Sequence, residues 1–318
     1  MSVRLIMPEE YLPTYFWRCV RQGVDLDGAR LDRKSVEASE WKSEGALGKI
    51  FSSVLGWTEL SASELVRLHT FLPARMPTQL STCDESVTHL FSTLRYVRYA
   101  ARHDTDLMRL CEECLLEDRR TAGVAYWKRH HQIPGVHRCL KHRAPLLECI
   151  GENVVRISPR AAMISESVEV RRAPYASTKY SFVGRFAKVC DLLLANLREP
   201  LDRFVVQRAI SQRAVQVLNW YPDMPNRLHH LVHGRVPKGW LSSIRGHNDS
   251  ALLQEGRWID YQLYVKGQGH HWGLALALAA MWSDPAEAVS QIFRAMENPP
   301  DRLTLRQIRA RRAVVSIH

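Results

Sequence analysis

The chain has no apolar run approaching the roughly 20 residues that a membrane-spanning helix needs. The best stretch, Trp272 to Trp282 (WGLALALAAMW), is about half that length and is flanked by His271 and Asp284. It reads as a buried core helix, and no membrane partner is expected. The opening residues, MSVRLIMPEEY, lack the long apolar core and small-residue cleavage site of a secretory signal. The chain is therefore expected in a reducing cytoplasm, where its seven cysteines are thiols or metal ligands and not disulfides. No Gly-rich phosphate loop is present, which argues against a P-loop nucleotide hydrolase. No acidic cluster of the kind that holds two magnesium ions stands out. Internal repeats and low-complexity tracts are also missing.

What is present is a chain of 318 residues with 46% hydrophobic and 24% charged residues, long enough for two or three domains. Its formal charge is +11. That excess asks for a polyanionic partner, and double-stranded DNA is the economical candidate, because each Lys or Arg on a phosphate releases counterions. A nucleoid-associated place in the cytoplasm follows from that reading.

Apolar residues at helical spacing predict a helix over 11–23, stopping at Gly23. A second helix is expected near 46–56. Ser61-Ala-Ser-Glu64 has the pattern of a capping box and opens a third, which runs to Pro73. A fourth is expected over 85–102. From Ser181 onward helical patterns return. Residues 151–180, with β-branched residues and turn formers, read as an irregular linker with room for a short hairpin. The expected architecture is mainly α: a helical N-terminal part (1–105), an embedded zinc-ribbon-like module (106–150), the linker (151–180) and a C-terminal helical domain (181–318).

Two ligand pairs carry the chemistry. Cys111-Glu-Glu-Cys114 and Cys139-Leu-Lys-His142 each place two residues between ligands, a spacing that lets a tight turn aim both side chains at one ion. Together they supply three thiolates and one imidazole, the closed tetrahedral shell of one structural Zn²⁺. A catalytic site would keep a position open for water, so no catalytic residue is assigned and the chain is not expected to be an enzyme. Between and around the pairs, residues 119–143 contain Arg119, Arg120, Lys128, Arg129, Arg138, Lys141 and Arg143 and no Asp or Glu. These are candidate DNA contacts, while Trp127, Ile133 and Val136 are expected to form the module's core. His131 reads as a polar core residue, and Cys19, Cys83 and Cys190 as buried thiols.

In the C-terminal half, LHHLVHGRVPKGWLSSIRGH (228–247) suits a helix-turn-helix whose second helix begins near Trp240. Arg235, Lys238, Ser242, Ser243, Arg245 and His247 are the candidate DNA contacts there, with Leu241 and Ile244 packed inward. The bland alternative is a plain helical bundle with a solvated basic side. The terminal Arg302, Arg306, Arg309, Arg311 and Arg312 could grip phosphates or form a basic tail.

The segment 111–147, CEECLLEDRRTAGVAYWKRHHQIPGVHRCLKHRAPLL, resembles the zinc-finger core of the TniQ/TnsD family of transposon target-selection proteins. The matching features are the Cys111/Cys114 pair, Tyr126-Trp127, His131-Gln132, Ile133-Pro134 and the Cys139/His142 pair. MPEEYLPTYFWRCVRQ (7–22) resembles the family's opening helix, and His69-Thr-x-x-Pro73 the element that precedes the zinc module. The resemblance is close over about 7–150 and looser beyond, where GWLSSIRGH (239–247) is similar to the DNA-binding region of TnsD-type members. Two departures stand out. Many members carry a second Cys knuckle, which Cys149 alone cannot supply, and TnsD-type proteins are generally longer. The resemblance implies a non-catalytic adaptor that marks an insertion site, by binding DNA or by riding on an RNA-guided CRISPR surveillance complex, and recruits an AAA+ ATPase. A homodimer is also kept open. The rival readings are a zinc-dependent nuclease or other hydrolase and a helix-turn-helix transcription regulator.

Overall fold

The computed structural model describes residues 5–22, 54–75, 77, 106–176, 181–199, 201–218, 227–245 and 272–299. The expected helix over 85–102, Cys83, His247 and the terminal arginines lie outside these residues. Within them the chain is mainly helical with one small sheet. No described helix is long and apolar enough to cross a membrane. The chain divides into two compact units, 1–72 with 82–177, and 73–81 with 178–318.

The first unit opens with α1 (Leu12–Arg21), which carries Pro13 in its first turn, where a helix needs no backbone donor. Residues Leu12 to Val20 are all buried, Arg18 included. A buried guanidinium needs partners. Arg18 finds them in both carboxylate oxygens of Glu10, at 2.9 and 2.8 Å, and in the Leu5 carbonyl at 2.7 Å. The helix near 46–56 is described only at its end, where residues 54–57 are helical. The capping box forms as the sequence indicates: Ser61 Oγ accepts from the Glu64 amide, and the Glu64 carboxylate accepts from the Ser61 amide. It opens α2 (Ala62–His69).

Strands β1 (Leu107–Leu110), β2 (Leu147–Ile150) and β3 (Glu169–Arg172) form an antiparallel sheet in that order. Arg109, Glu148 and Arg171 sit opposite one another across it, and both guanidiniums reach the buried Glu148 carboxylate, at 3.2 and 3.3 Å. The free side of β1 is covered by one side chain. Gln132 accepts from the Arg109 amide at 2.8 Å and donates to the Arg109 carbonyl at 2.7 Å, as a neighbouring strand would.

Residues 151–180 are thus more than the irregular linker expected from sequence. They carry a short helix, α4 (Pro159–Ile164), capped by Ser158, and then β3. The hairpin is β2–β3 with that helix inserted, and it forms because β2 exposes a second row of backbone groups that needs pairing. Gly151 permits the close return: a Cβ there would stand 2.9 Å from the Ser167 carbonyl oxygen.

The second unit is helical: α5 (Ser181–Asn196), α6 (Arg203–Leu218), α7 (Arg227–His233), α8 (Trp240–Arg245), α9 (Gly273–Met281) and α10 (Pro285–Glu297). All nine residues of α9 are buried, as the Leu/Ala run indicates. Phe186 packs edge-on against Trp240 and Trp272. Asp284 caps α10 through the Ala286 amide at 2.9 Å, with Pro285 behind it. The helix expected near Trp240 starts there, and Leu241 and Ile244 are buried.

His69 is buried, and its Nδ1 lies 3.0 Å from the Glu10 carbonyl, so Nδ1–H donates. Burial lowers its pKa from 6.5 to about 4. The unfolded chain takes up this proton near pH 6.5 and the fold resists it, so stability is full above that pH and is lost as pH falls toward 4. His69→Asn keeps a donor without the titration. Urea melts at pH 7 and pH 5 should show a smaller loss of stability on acidification in the variant than in the parent.

Candidate metal centre

Cys111 Sγ, Cys114 Sγ, Cys139 Sγ and His142 Nδ1 converge, all within 4.8 Å of one another. An ion bound at about 2.3 Å from sulfur and about 2.0 Å from imidazole nitrogen, with tetrahedral angles, sets sulfur–sulfur separations of about 3.8 Å and sulfur–nitrogen separations of about 3.6 Å. Cys114 and Cys139 sulfurs are 3.7 Å apart. His142 Nδ1 is 3.6, 3.3 and 3.7 Å from the sulfurs of Cys111, Cys114 and Cys139. The geometry fits a tetrahedral metal.

The two pairs share a spacing but not a local structure. Cys111 is the N-cap of α3 (Glu112–Ala122), and Cys114 stands in its first turn. The positive end of a helix there favours thiolates. Glu112 and Glu113, between the ligands, are exposed to solvent. The second pair is a true knuckle. The His142 amide points at Cys139 Sγ from 3.5 Å, the Cys139 amide donates to the Ala144 carbonyl, and Arg143 takes a left-handed φ of 53° to turn the chain back. The core residues Trp127, Ile133 and Val136 are buried, and the Trp127 indole donates to the Ile157 carbonyl at 2.8 Å.

Three sulfurs this close cannot all ionise without a cation among them. The hydrogen bonds of Cys111 and Cys139 push the Cys114 thiol up, while those of Cys111 and Cys114 pull Cys139 down. A divalent ion removes that conflict by holding every sulfur as thiolate. Cys149 behaves differently. It lies buried in β2, outside the cluster, and burial raises its pKa to about 12, an inert thiol. Cys19 and Cys190 are likewise buried thiols, both raised by burial.

Around the cluster, His131 is buried with Nε2 4.0 Å from Cys114 Sγ. Glu117 was not anticipated from sequence. Its Oε2 lies 3.6 Å from His142 Nε2, behind the imidazole, and Lys141 pairs with the same carboxylate. A carboxylate behind a ligating histidine fixes the ring and raises its basicity. The signal was legible in principle, since Glu117 follows Cys114 by three residues on one helix.

The structure sorts the basic residues of 119–143 into different roles. Arg119 and Arg120 are exposed in the last turn of α3, and Arg143 is exposed in the knuckle. Lys141 is exposed but paired with Glu117. Arg138 bonds the Arg143 carbonyl. Lys128 is half-buried and pairs with the buried Asp118 at 2.8 Å; burial works against its charge, but the bonds to Asp118 and Tyr126 outweigh it and raise its pKa. Arg129 corrects the sequence reading outright. It is 1% exposed, pairs with both oxygens of Glu9 and donates to the carbonyls of Arg67 and Thr70. The acids that neutralise these cations lie outside 119–143, so the local sequence could not show them. In the second unit Arg235, Lys238 and Ser242 are exposed, the Ser243 hydroxyl donates to the Trp240 carbonyl, and Arg245 ends α8.

Three outcomes test these assignments. Arg129→Met should destabilise the first unit by about 3 kcal/mol in urea melts, the low end for a broken buried pair because Glu9 keeps access to water. Arg119→Ala and Arg120→Ala should each change stability by less than about 0.5 kcal/mol. Glu117→Gln should weaken metal retention roughly 10- to 100-fold against a competing chelator, with the fold intact by circular dichroism.

Residues 7–146 match the family model described as TniQ. No curated protein matches the chain. The matched span runs from Met7, whose amide donates to Glu10, to Leu146, just past the knuckle, and so takes in α1, α2 and all four converging ligands. Residues 7–146 of the chain form a TniQ domain.

Proposed function

We propose that this protein is a non-catalytic adaptor of transposition that couples a DNA target to the AAA+ ATPase and, through it, to the transposase. The observation that carries the reading is the coincidence of the TniQ match with the four-ligand cluster. A TniQ domain points to a protein associated with transposition. The metal in this reading is one Zn²⁺ held by Cys111, Cys114, Cys139 and His142, since three thiolates and an imidazole in a tetrahedron are the donor set zinc prefers. Four protein ligands fill the coordination shell, and a filled shell is a structural site. Direct contact with double-stranded DNA is supported by the charge of +11 and by exposed Arg119, Arg120, Arg143, Arg235 and Lys238.

One observation favours a protein partner for the first unit. A groove of about 650 Å³ is lined by Leu5, Ile6, Pro8, Trp57, Leu60 and Leu68, with Glu9 and Glu59 beside them. An apolar groove with acidic neighbours suits a protein segment better than a nucleic acid. This supports the alternative in which the chain rides on an RNA-guided surveillance complex without reading DNA sequence.

Elemental analysis of the purified full chain should return one zinc per chain. Removing it with a chelator, or substituting Cys111→Ser or Cys139→Ser, should abolish cooperative unfolding of the first unit, because the site contributes folding energy. A chain that melts identically with and without the ion contradicts the structural role. Mobility shifts on random-sequence duplex at two salt concentrations decide between the two adaptor readings. Salt-sensitive binding supports direct DNA contact, and none at low salt supports the RNA-guided route.

A further inference from the structure

Helix α9 ends inside a ring of three arginines. The last four carbonyls of a helix have no partner within it. Here the Leu278 carbonyl accepts from the Trp282 amide at 3.2 Å. The next three accept from side chains: Ala279 from Arg185 Nε at 2.9 Å, Ala280 from Arg235 Nη1 at 3.0 Å and Met281 from Arg213 Nε at 3.2 Å. Those guanidiniums come from α5, from the turn after α7 and from α6. Three elements far apart in sequence therefore deliver a cation to the same helix end.

Capping alone does not account for this. The C-terminal end of a helix carries about half a negative charge. Arg213 and Arg235 alone place two positive charges against it, which leaves an excess of roughly one and a half. Among the described residues no carboxylate lies within ion-pair distance of Arg213 or Arg235. Asp284, the next acid along the chain, caps the Ala286 amide. Burial lowers the Arg185 pKa, and the nearby Arg235 charge lowers it further, as two cations brought close together require.

The guanidiniums are also held in place. Arg213 stacks over the Trp282 ring at 5.1 Å, and Arg185 lies over Phe182 at 5.8 Å. A guanidinium has five N–H donors in a rigid plane. The carbonyl bonds leave Arg213 and Arg235 with further donors, and Arg235 is exposed. A fixed, partly exposed guanidinium fork matches two oxygens of a phosphate.

We infer that Arg213 and Arg235, supported by Arg185, form a phosphate-binding site at the C-terminal end of α9 that holds the backbone of a bound nucleic acid. This rests on the reading of the chain as a protein that contacts DNA, and it names a contact away from α8. Backbone phosphates carry no base identity, so the site contributes affinity and register, not sequence preference.

The test uses the full chain with Arg213→Gln and Arg235→Gln, which keep a donor for the helix carbonyl while removing the charge. Fluorescence anisotropy with a random-sequence duplex across several salt concentrations gives the slope of log affinity against log salt. Each substitution should lower that slope by about one, uniformly across sequences, with melting temperature near the parent's. Arg213→Lys should keep the slope. Duplex binding with unchanged slopes overturns the site while direct DNA contact stands. Where the parent binds no duplex, direct contact fails, and inorganic tripolyphosphate decides the site: a rise in melting temperature in the parent but not in the glutamine variants supports it as a phosphate site, and equal behaviour overturns it.

Discussion

Like charges crowded into one buried place set the terms for the first unit. Cys111, Cys114, Cys139 and His142 present their donor atoms to a common centre, and the sulfurs cannot all be anionic at such separations unless a cation compensates them. The rest of the unit is arranged to make that meeting possible. The Cys111/Cys114 pair is delivered by a helix start directly after β1, and the Cys139/His142 pair by a turn shortly before β2. Because β1 and β2 are paired in register, the two ligand pairs are brought face to face. The sheet and the four-ligand cluster are two descriptions of one closure, in which hydrogen bonds align the strands and an ion bound among the ligands would hold the ends that the strands bring together.

Ionic pairs on buried guanidiniums join the N-terminal segment to this closure. Glu9 and Glu10 are neighbours in sequence, yet Glu9 holds Arg129 of the ligand loop and Glu10 holds Arg18 of α1. The Tyr11 amide and the Glu9 carbonyl add backbone bonds to Trp127 and Arg129. A buried guanidinium left without a carboxylate is costly, so these pairs specify where the N-terminal segment lies and not merely that it is attached. The same logic explains why a stretch rich in Lys and Arg offers solvent fewer free cations than its composition indicates.

In the second unit the governing problem is a helix with no polar side chains. α9 is buried throughout, so its C-terminal carbonyls cannot turn to solvent and its own residues cannot cap them. Neighbouring helices supply arginines, because a long side chain with several donors can reach across a packed interface to a carbonyl. Concentrating cations at one apolar helix end then gives this part of the fold an electrostatic character that no single helix has by itself.

Much of this protein is legible in its residues. The paired Cys/His spacing, the Ser61/Glu64 capping box, the buried Leu/Ala helix and the mainly helical class rest on patterns only a few residues long, and local backbone geometry is enough to produce them. The TniQ match spans the residues that carry the paired Cys/His spacing and the capping box. Other features depend on residues far apart in the chain: β3 completing the sheet, Gln132 standing in for a strand, Glu117 behind His142, Arg129 buried against Glu9, and three arginines meeting at Met281 and the carbonyls before it. A charge in a sequence has no address for its partner. Only the folded backbone, by deciding which surfaces lose water, determines whether an arginine becomes a buried strut or a cation presented to solvent.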